Sequence, residues 1–175
     1  MTTESIPNAK IERCVDLTEQ ILSDPNEKVV IMNSFKAPCE QLAQLLKEYN
    51  PLVCTGDTSD DLVDKYKEMF QNDNEHRVMI CTGQKMGTGH TLNRSQYLIM
   101  FDGAYTAALN TQWEDRIHRV NNTKPAFIYY LWALDTFDMR IKELVDMKGA
   151  ISDYIVDGVT EAHLNILKRY IEELR

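Results

Sequence analysis

The feature that most constrains this chain is a succession of short apolar runs that show no polar alternation: KVVIM (28–32), PLVC (51–54), RVMIC (77–81), QYLIMF (96–101) and AFIYYLWAL (126–134). A strand with one wet face alternates apolar and polar residues, whereas a run that is apolar throughout is buried on both faces. Between the runs lie helical patterns. Ile11, Cys14, Val15, Thr18, Ile21 and Leu22 fit a helix that stops at Asp24-Pro25, Leu42, Leu45 and Leu46 mark one over 38–48, and another spans 60–70. Further helical patterns cover 111–122, 136–148 and 160–174, the last carrying Leu164, Leu167, Ile171 and Leu174. Apolar strands that alternate with helices predict an α/β fold, a parallel sheet covered on both faces. Ligands then meet the loops at the carboxyl ends of the strands. Those loops read NSFKAP (33–38), TGDTSDD (55–61), TGQKMGTGHTL (82–92) and DGAYTA (102–107).

A chain of 175 residues, 43% hydrophobic and 26% charged, is expected to form one soluble domain. No stretch approaches the ~20 apolar residues of a membrane span, and MTTESIPNAK lacks the apolar core of a secretory signal. The expected location is cytoplasmic or nuclear. Cys14, Cys39, Cys54 and Cys81 stand too far apart for a metal knuckle and are expected as reduced, buried thiols. The net charge of −8 argues against nucleic-acid binding over the whole surface, so any phosphate contact must be local.

Two stretches could carry chemistry. In GQKMGTG, Gly83, Gly87 and Gly89 directly follow a predicted strand, where small residues let backbone N–H groups approach a phosphate; the same glycines would also serve a plain turn. The stretch lacks the Gly-Lys-Ser/Thr of a phosphate-binding P-loop. In TQWEDRIHRVNN (111–122), helical rotation places Gln112, Asp115, Arg116 and Arg119 on one stripe and Leu109, Trp113, Ile117 and Val120 on the next. The polar stripe reads as a solvated face or as a clamp, since two guanidinium forks one turn apart suit a triphosphate. His118 has no second ligand at metal spacing, and no metal held by side chains alone is expected. Tyr129, Tyr130 and Trp132 are expected in the core, and Asp57–Asp61 as a helix cap with first-turn acids.

The order and spacing of these stretches resemble the second RecA-like lobe of superfamily-two helicases, specifically the Swi/Snf-type DNA-dependent ATPases. QWEDRIHRVNNTKP is similar to motif VI of that family, Q-x-x-D-R-x-H-R-x-x-Q-x-K-P, KVVIMNSF to motif IV, CTGDTS to the next turn, and CTGQKMGTGHTLNRSQYLIMFD to motif V with its strand. GAISDYIVDG resembles the segment after the last core helix. The chain departs from the pattern at Thr91, at Tyr105-Thr106-Ala107 and at Asn122, which points to a divergent lineage, viral or bacterial.

The resemblance implies a RecA-like three-layer sandwich: a central, mostly parallel sheet with helices on both faces and extra C-terminal helices. It divides the chain into an N-terminal helix (1–27), a core with motifs IV to VI (28–149) and a helical extension (150–175). By the same resemblance, Arg116 and Arg119 act as arginine fingers with Gln112 positioning. Gly87, Thr88, Gly89 and Asp115 border ATP, and Ser34, Lys36, Thr55, Gly56, Thr82 and Lys85 touch DNA, duplex rather than single, through phosphates. ATP and magnesium would be held mainly by an N-terminal lobe of the same native protein. Neither a P-loop nor an Asp-Glu-x-His box occurs in this sequence, which with its length suggests an excised fragment; a monomeric state is expected. An RNA helicase lobe and a non-catalytic RecA-like interaction module are the rival readings; Asp115 with His118 weighs against the first, and retention of both arginines with Gln112 against the second.

Overall fold

The computed structural model describes residues 9–86, 92–117 and 125–157. The strands are β1 (Val29–Asn33), β2 (Leu52–Cys54), β3 (Val78–Thr82), β4 (Tyr97–Met100) and β5 (Phe127–Tyr130). The helices are α1 (Ala9–Leu22), α2 (Lys36–Leu45), α3 (Asp60–Asn72), α4 (Ala107–Glu114) and α5 (Phe137–Asp157). The strand order is β2-β3-β1-β4-β5, and every pairing is parallel. All strand carboxyl ends therefore share one edge, with β1 at its centre.

Side chains alternate across the sheet, so each apolar run feeds two cores. Val29 and Ile31 join Val78, Ile80 and Ile99 under α1 and α2, while Val30 and Met32 join Cys54, Met79, Cys81, Leu98 and Met100 under α3 and α4. This is the three-layer arrangement that the unbroken apolar runs predict. All four cysteines are free and buried. Burial pushes the Cys14 and Cys39 thiols up to about 12, so neither is a nucleophile near neutral pH.

Lys28, the first residue of KVVIM, is 1% exposed. Its ammonium donates to the carbonyls of Phe70 (2.5 Å), Asp73 and His76 (3.2 Å) and lies 5.0 Å from the Phe70 ring centroid. Three donors thus meet three carbonyls where α3 ends, fastening that helix to the start of β1.

Several boundaries differ from expectation. Helix α2 begins at Lys36, and Pro38 fits within its first turn because N–H groups there have no intrahelical acceptor. Leu45 is exposed rather than facing the core with Leu42 and Leu46. Strand β5 stops at Tyr130, and Trp132 lies beyond it, half-buried and stacked on Tyr130 at 5.8 Å. Tyr129 is exposed, because β5 is an edge strand with partners on one side alone. Helix α5 runs through Gly149 to Asp157, and the pattern at 160–174 lies outside the described residues. Among the described residues, no helix is long and apolar enough to cross a membrane.

Candidate functional site

At the carboxyl edge, the turn after β2 is closed by its own side chains. The Thr55 N–H donates to Thr58 Oγ1 at 3.0 Å, the Thr58 N–H to the Thr55 carbonyl at 3.0 Å, and Ser59 caps α3 by accepting from the Leu62 N–H at 3.4 Å. Asp60 and Asp61 occupy the first turn of α3, as expected of this acidic stretch. The neighbouring loops reach onto the same turn. Lys36 Nζ lies 2.5 Å from Asp57 Oδ2 and 3.3 Å from Glu40 Oε1, and Lys85 Nζ lies 2.6 Å from Asp60 Oδ1. Hydrogen bonds from these lysines hold the Asp57 and Asp60 carboxyls below the usual 3.8. Ser34 Oγ donates to the Gly103 carbonyl at 3.5 Å, which ties the loop after β1 to the loop after β4.

On the other side of β1, Thr106 caps α4 by accepting from the Leu109 N–H at 3.3 Å. Asn110 grips the loop before the helix, accepting from the Ala104 N–H at 2.7 Å and donating to its carbonyl at 3.3 Å. The helix starts and ends earlier than 111–122: it closes at Glu114 with Asp115 as its C-cap, so Arg116 stands beyond its last residue. Of the expected apolar stripe, Trp113 and Ile117 are buried, Leu109 is 43% exposed and Val120 lies outside the described residues. On the polar stripe, Asp115 is exposed, Gln112 half-buried and Arg116 buried at 7% exposure. Arg116 thus leaves the solvated face that helical periodicity assigns it, because after Glu114 the chain turns inward. The Arg116 N–H donates to the Trp113 carbonyl at 3.1 Å, and the Arg116 carbonyl accepts from the Leu92 N–H at 2.8 Å. Tyr130 donates to Glu114 Oε1 at 2.5 Å, and burial together with this carboxylate pushes its phenol up.

A parallel five-stranded sheet with this motif order on one edge matches a known family: the model of the helicase conserved C-terminal domain covers residues 9–121. The chain belongs to that family. Its homologues are of the Swi2/Snf2 type. The ATP-dependent helicase ULS1 of Saccharomyces cerevisiae is 25% identical over 167 residues, 93% of this chain and 10% of that protein. The crystal structure of the C-terminal part of the Fun30 ATPase domain superposes with a TM-score of 0.75 at 26% identity, over 83% of this chain and 47% of that one. The SWI2/SNF2 ATPase core domain of Sulfolobus solfataricus has the same fold, with a TM-score of 0.64 at 21% identity, over 90% of this chain and 32% of that one.

In this helicase C-terminal lobe, Ser34, Lys36, Thr55, Gly56, Thr82 and Lys85 all follow neighbouring strands β1, β2 and β3 or end them. Thr55 and Thr82 are buried, and Gly56 has open space around its Cα. Gly87, Thr88, Gly89, His118 and Arg119 lie outside the described residues. Sequence reasoning missed Asp57 and Asp60 as lysine partners, although both stand in the acidic stretch 57–61. Among the described residues there is no group of three or more His, Cys, Asp or Glu side chains that could hold a metal ion.

Proposed function

We propose that this lobe is the second half of an ATP-driven motor on DNA, in which Arg116 and Arg119 stabilise charge developing on the γ-phosphoryl group while the loops after β1, β2 and β3 hold the DNA backbone. The observation that carries this reading is the shared edge. Lys36, Lys85 and the hydroxyl-bearing turn at Thr55 converge on one end of the parallel sheet, and the arginine-bearing turn after α4 is tied through the Arg116 carbonyl to the Leu92 N–H, in the segment that joins β3 to β4. Guanidinium groups supply charge that is already oriented when a phosphoryl group transfers. Gln112 positions the nucleotide, Asp115 orients an arginine, and Gly87, Thr88 and Gly89 shape the turn between nucleotide and DNA. Magnesium and the remaining phosphate contacts belong, in this reading, to an N-terminal RecA-like lobe, as the resemblance implies. The division at 27/28 and 149/150, an intracellular location and a monomeric state belong to the same proposal.

The lobe alone should then hydrolyse ATP no faster than buffer, because a half-site cannot enclose the reacting phosphate. Turnover by purified residues 1–175 that disappears in Arg119→Ala would sink the shared-site reading.

The lysines make a second expectation. In the protein with both lobes, Lys36→Ala and Lys85→Ala should each raise the DNA concentration for half-maximal ATPase and flatten the salt dependence by about one counterion. A phosphate must displace the acids now seated on these lysines, so Asp57→Asn and Asp60→Asn should act in the opposite direction, tightening binding. With carboxyl pKa values held below the usual 3.8, both acids are fully charged from pH 6 to 8, so this competition should not change across that range by their titration. If DNA titrations at two salt concentrations leave all four variants with the parent, the DNA track lies elsewhere.

A further inference from the structure

We propose that Cys54 and Cys81 form a redox modification site, at which a peroxide oxidises the two thiols to a reversible disulfide that ties the edge strand β2 to β3. The chemistry is independent of the ATPase reading. The two cysteines are register partners at the carboxyl end of a parallel strand pair. Neighbouring strands stand about 4.8 Å apart, inside the ~4.4 to 6.8 Å between Cα atoms that a disulfide spans. Partners in register present their side chains to one face of the sheet, and both cysteines belong to the core under α3 and α4. Each is free and fully buried. Cys14 and Cys39 lie on the other face, on α1 and α2, where the Cys39 thiol donates to the Phe35 carbonyl at 3.4 Å.

Burial ordinarily makes a thiol inert by disfavouring the thiolate, as it does at Cys14 and Cys39. Cys54 departs from that rule. Its hydrogen bond with the Cys81 thiol holds it below the ordinary thiol value of 9.0 in spite of burial, and the ammonium groups of Lys67 and Lys85 act in the same direction. Both lysines are fixed in place, Lys67 by Asp64 at 2.8 Å with its side chain 11% exposed and Lys85 by Asp60 at 2.6 Å. Burial and the same thiol–thiol hydrogen bond push Cys81 up. The pair thus divides two roles: Cys54 attacks, and Cys81 resolves.

The Cys54 thiolate attacks one oxygen of hydrogen peroxide, the O–O bond breaks, and the departing hydroxide takes up the proton that the thiol released, leaving water and a sulfenic acid on Cys54. The Cys81 sulfur then attacks the sulfenic sulfur. The S–S bond forms as the S–O bond breaks, and the hydroxyl leaves with the Cys81 proton as a second water, so two thiols and one peroxide give one disulfide and two waters. Access comes from the edge of the sheet. Strand β2 has three residues and a hydrogen-bonded neighbour on one side only, so its local opening costs less than that of the central strands. Once made, the bond closes a loop that contains the whole of α3 and opposes that opening.

Thiol mapping of the folded chain is the test. After exposure to ~1 mM hydrogen peroxide, alkylation and proteolysis, mass spectrometry should find Cys54 linked to Cys81, with Cys14 and Cys39 oxidised at least ~10-fold more slowly and all four thiols restored by dithiothreitol. In the urea-unfolded chain the preference should vanish, because the register that joins the two cysteines is gone. Cys81→Ala should leave Cys54 as a sulfenic acid that dimedone captures, whereas Cys54→Ala should slow oxidation of Cys81 by at least ~10-fold. Capture at Cys81 in Cys54→Ala as fast as at Cys54 in Cys81→Ala would overturn the division of roles. In the folded parent, linkage in any other pairing, or loss of the Cys54 and Cys81 thiols no faster than that of Cys14 and Cys39, would overturn the site itself, whatever the variants do.

Discussion

Arg119→Ala, in a protein that carries this lobe with its N-terminal partner, is expected to lower the DNA-stimulated kcat by at least ~10²-fold while the ATP KM changes by no more than a few-fold. The reason is differential binding: an arginine that meets the γ-phosphoryl group chiefly as charge develops contributes to the barrier and little to the ground state. Arg116→Ala should show the same kinetic loss and, unlike a change on a solvated face, a lower melting temperature, because Arg116 is 7% exposed and its backbone anchors Leu92. Arg116→Lys separates the two effects. It keeps a positive charge in the interior but loses the planar fork, so stability should recover more than rate. Steady-state kinetics and thermal unfolding of the three variants are the measurement, and near-parental kcat in both alanine variants would leave the arginines as structural residues only.

Lys28→Met should destabilise the folded chain by ~3 to 5 kcal/mol, lowering the melting temperature by about 10 °C. Methionine preserves most of the apolar stem and its contact with the Phe70 ring. What disappears is the ammonium that serves the carbonyls of Phe70, Asp73 and His76. Three acceptors at the end of α3 then lose their donor in a place where Lys28 itself is 1% exposed. Burial lowers the pKa of this lysine, which measures how much the interior resists its charge and why the three carbonyls are needed. Chemical denaturation of Lys28→Met against the parent decides the point; a loss under ~1 kcal/mol would mean that water reaches these carbonyls and replaces the amine.

Much of the fold was legible from residue order. VVIM, VMIC and YLIM are apolar at every position, which only a strand covered on both faces tolerates, and each became a strand of the parallel sheet. The cap at Ser59 and the acids after it were equally readable, because a helix N-terminus attracts a hydroxyl and negative charge through purely local geometry. Periodicity failed at α4. A rotation of 100° per residue treats 111–122 as one helix, but Asp115 closes it and Arg116 turns into the interior, where Trp113 and Ile117 join the core under α3 and α4. The helical wheel carried no sign of that inward turn.

What the sequence by itself determined is therefore the local grammar: which runs are strands, where helices begin, which loops follow strands, and the family to which the motif order belongs. The tertiary structure alone decided the pairings. Lys85 finds Asp60 because β3 lies beside β2, Lys36 reaches Asp57 across the end of β3, and Trp113 rests on Gly83 because α4 packs over the end of that strand. The physical reason is range. Backbone propensity and capping act within a turn or two of the chain, whereas an ion pair or a ring contact requires that distant segments be brought together, and that is set by the order in which the strands assemble into a sheet.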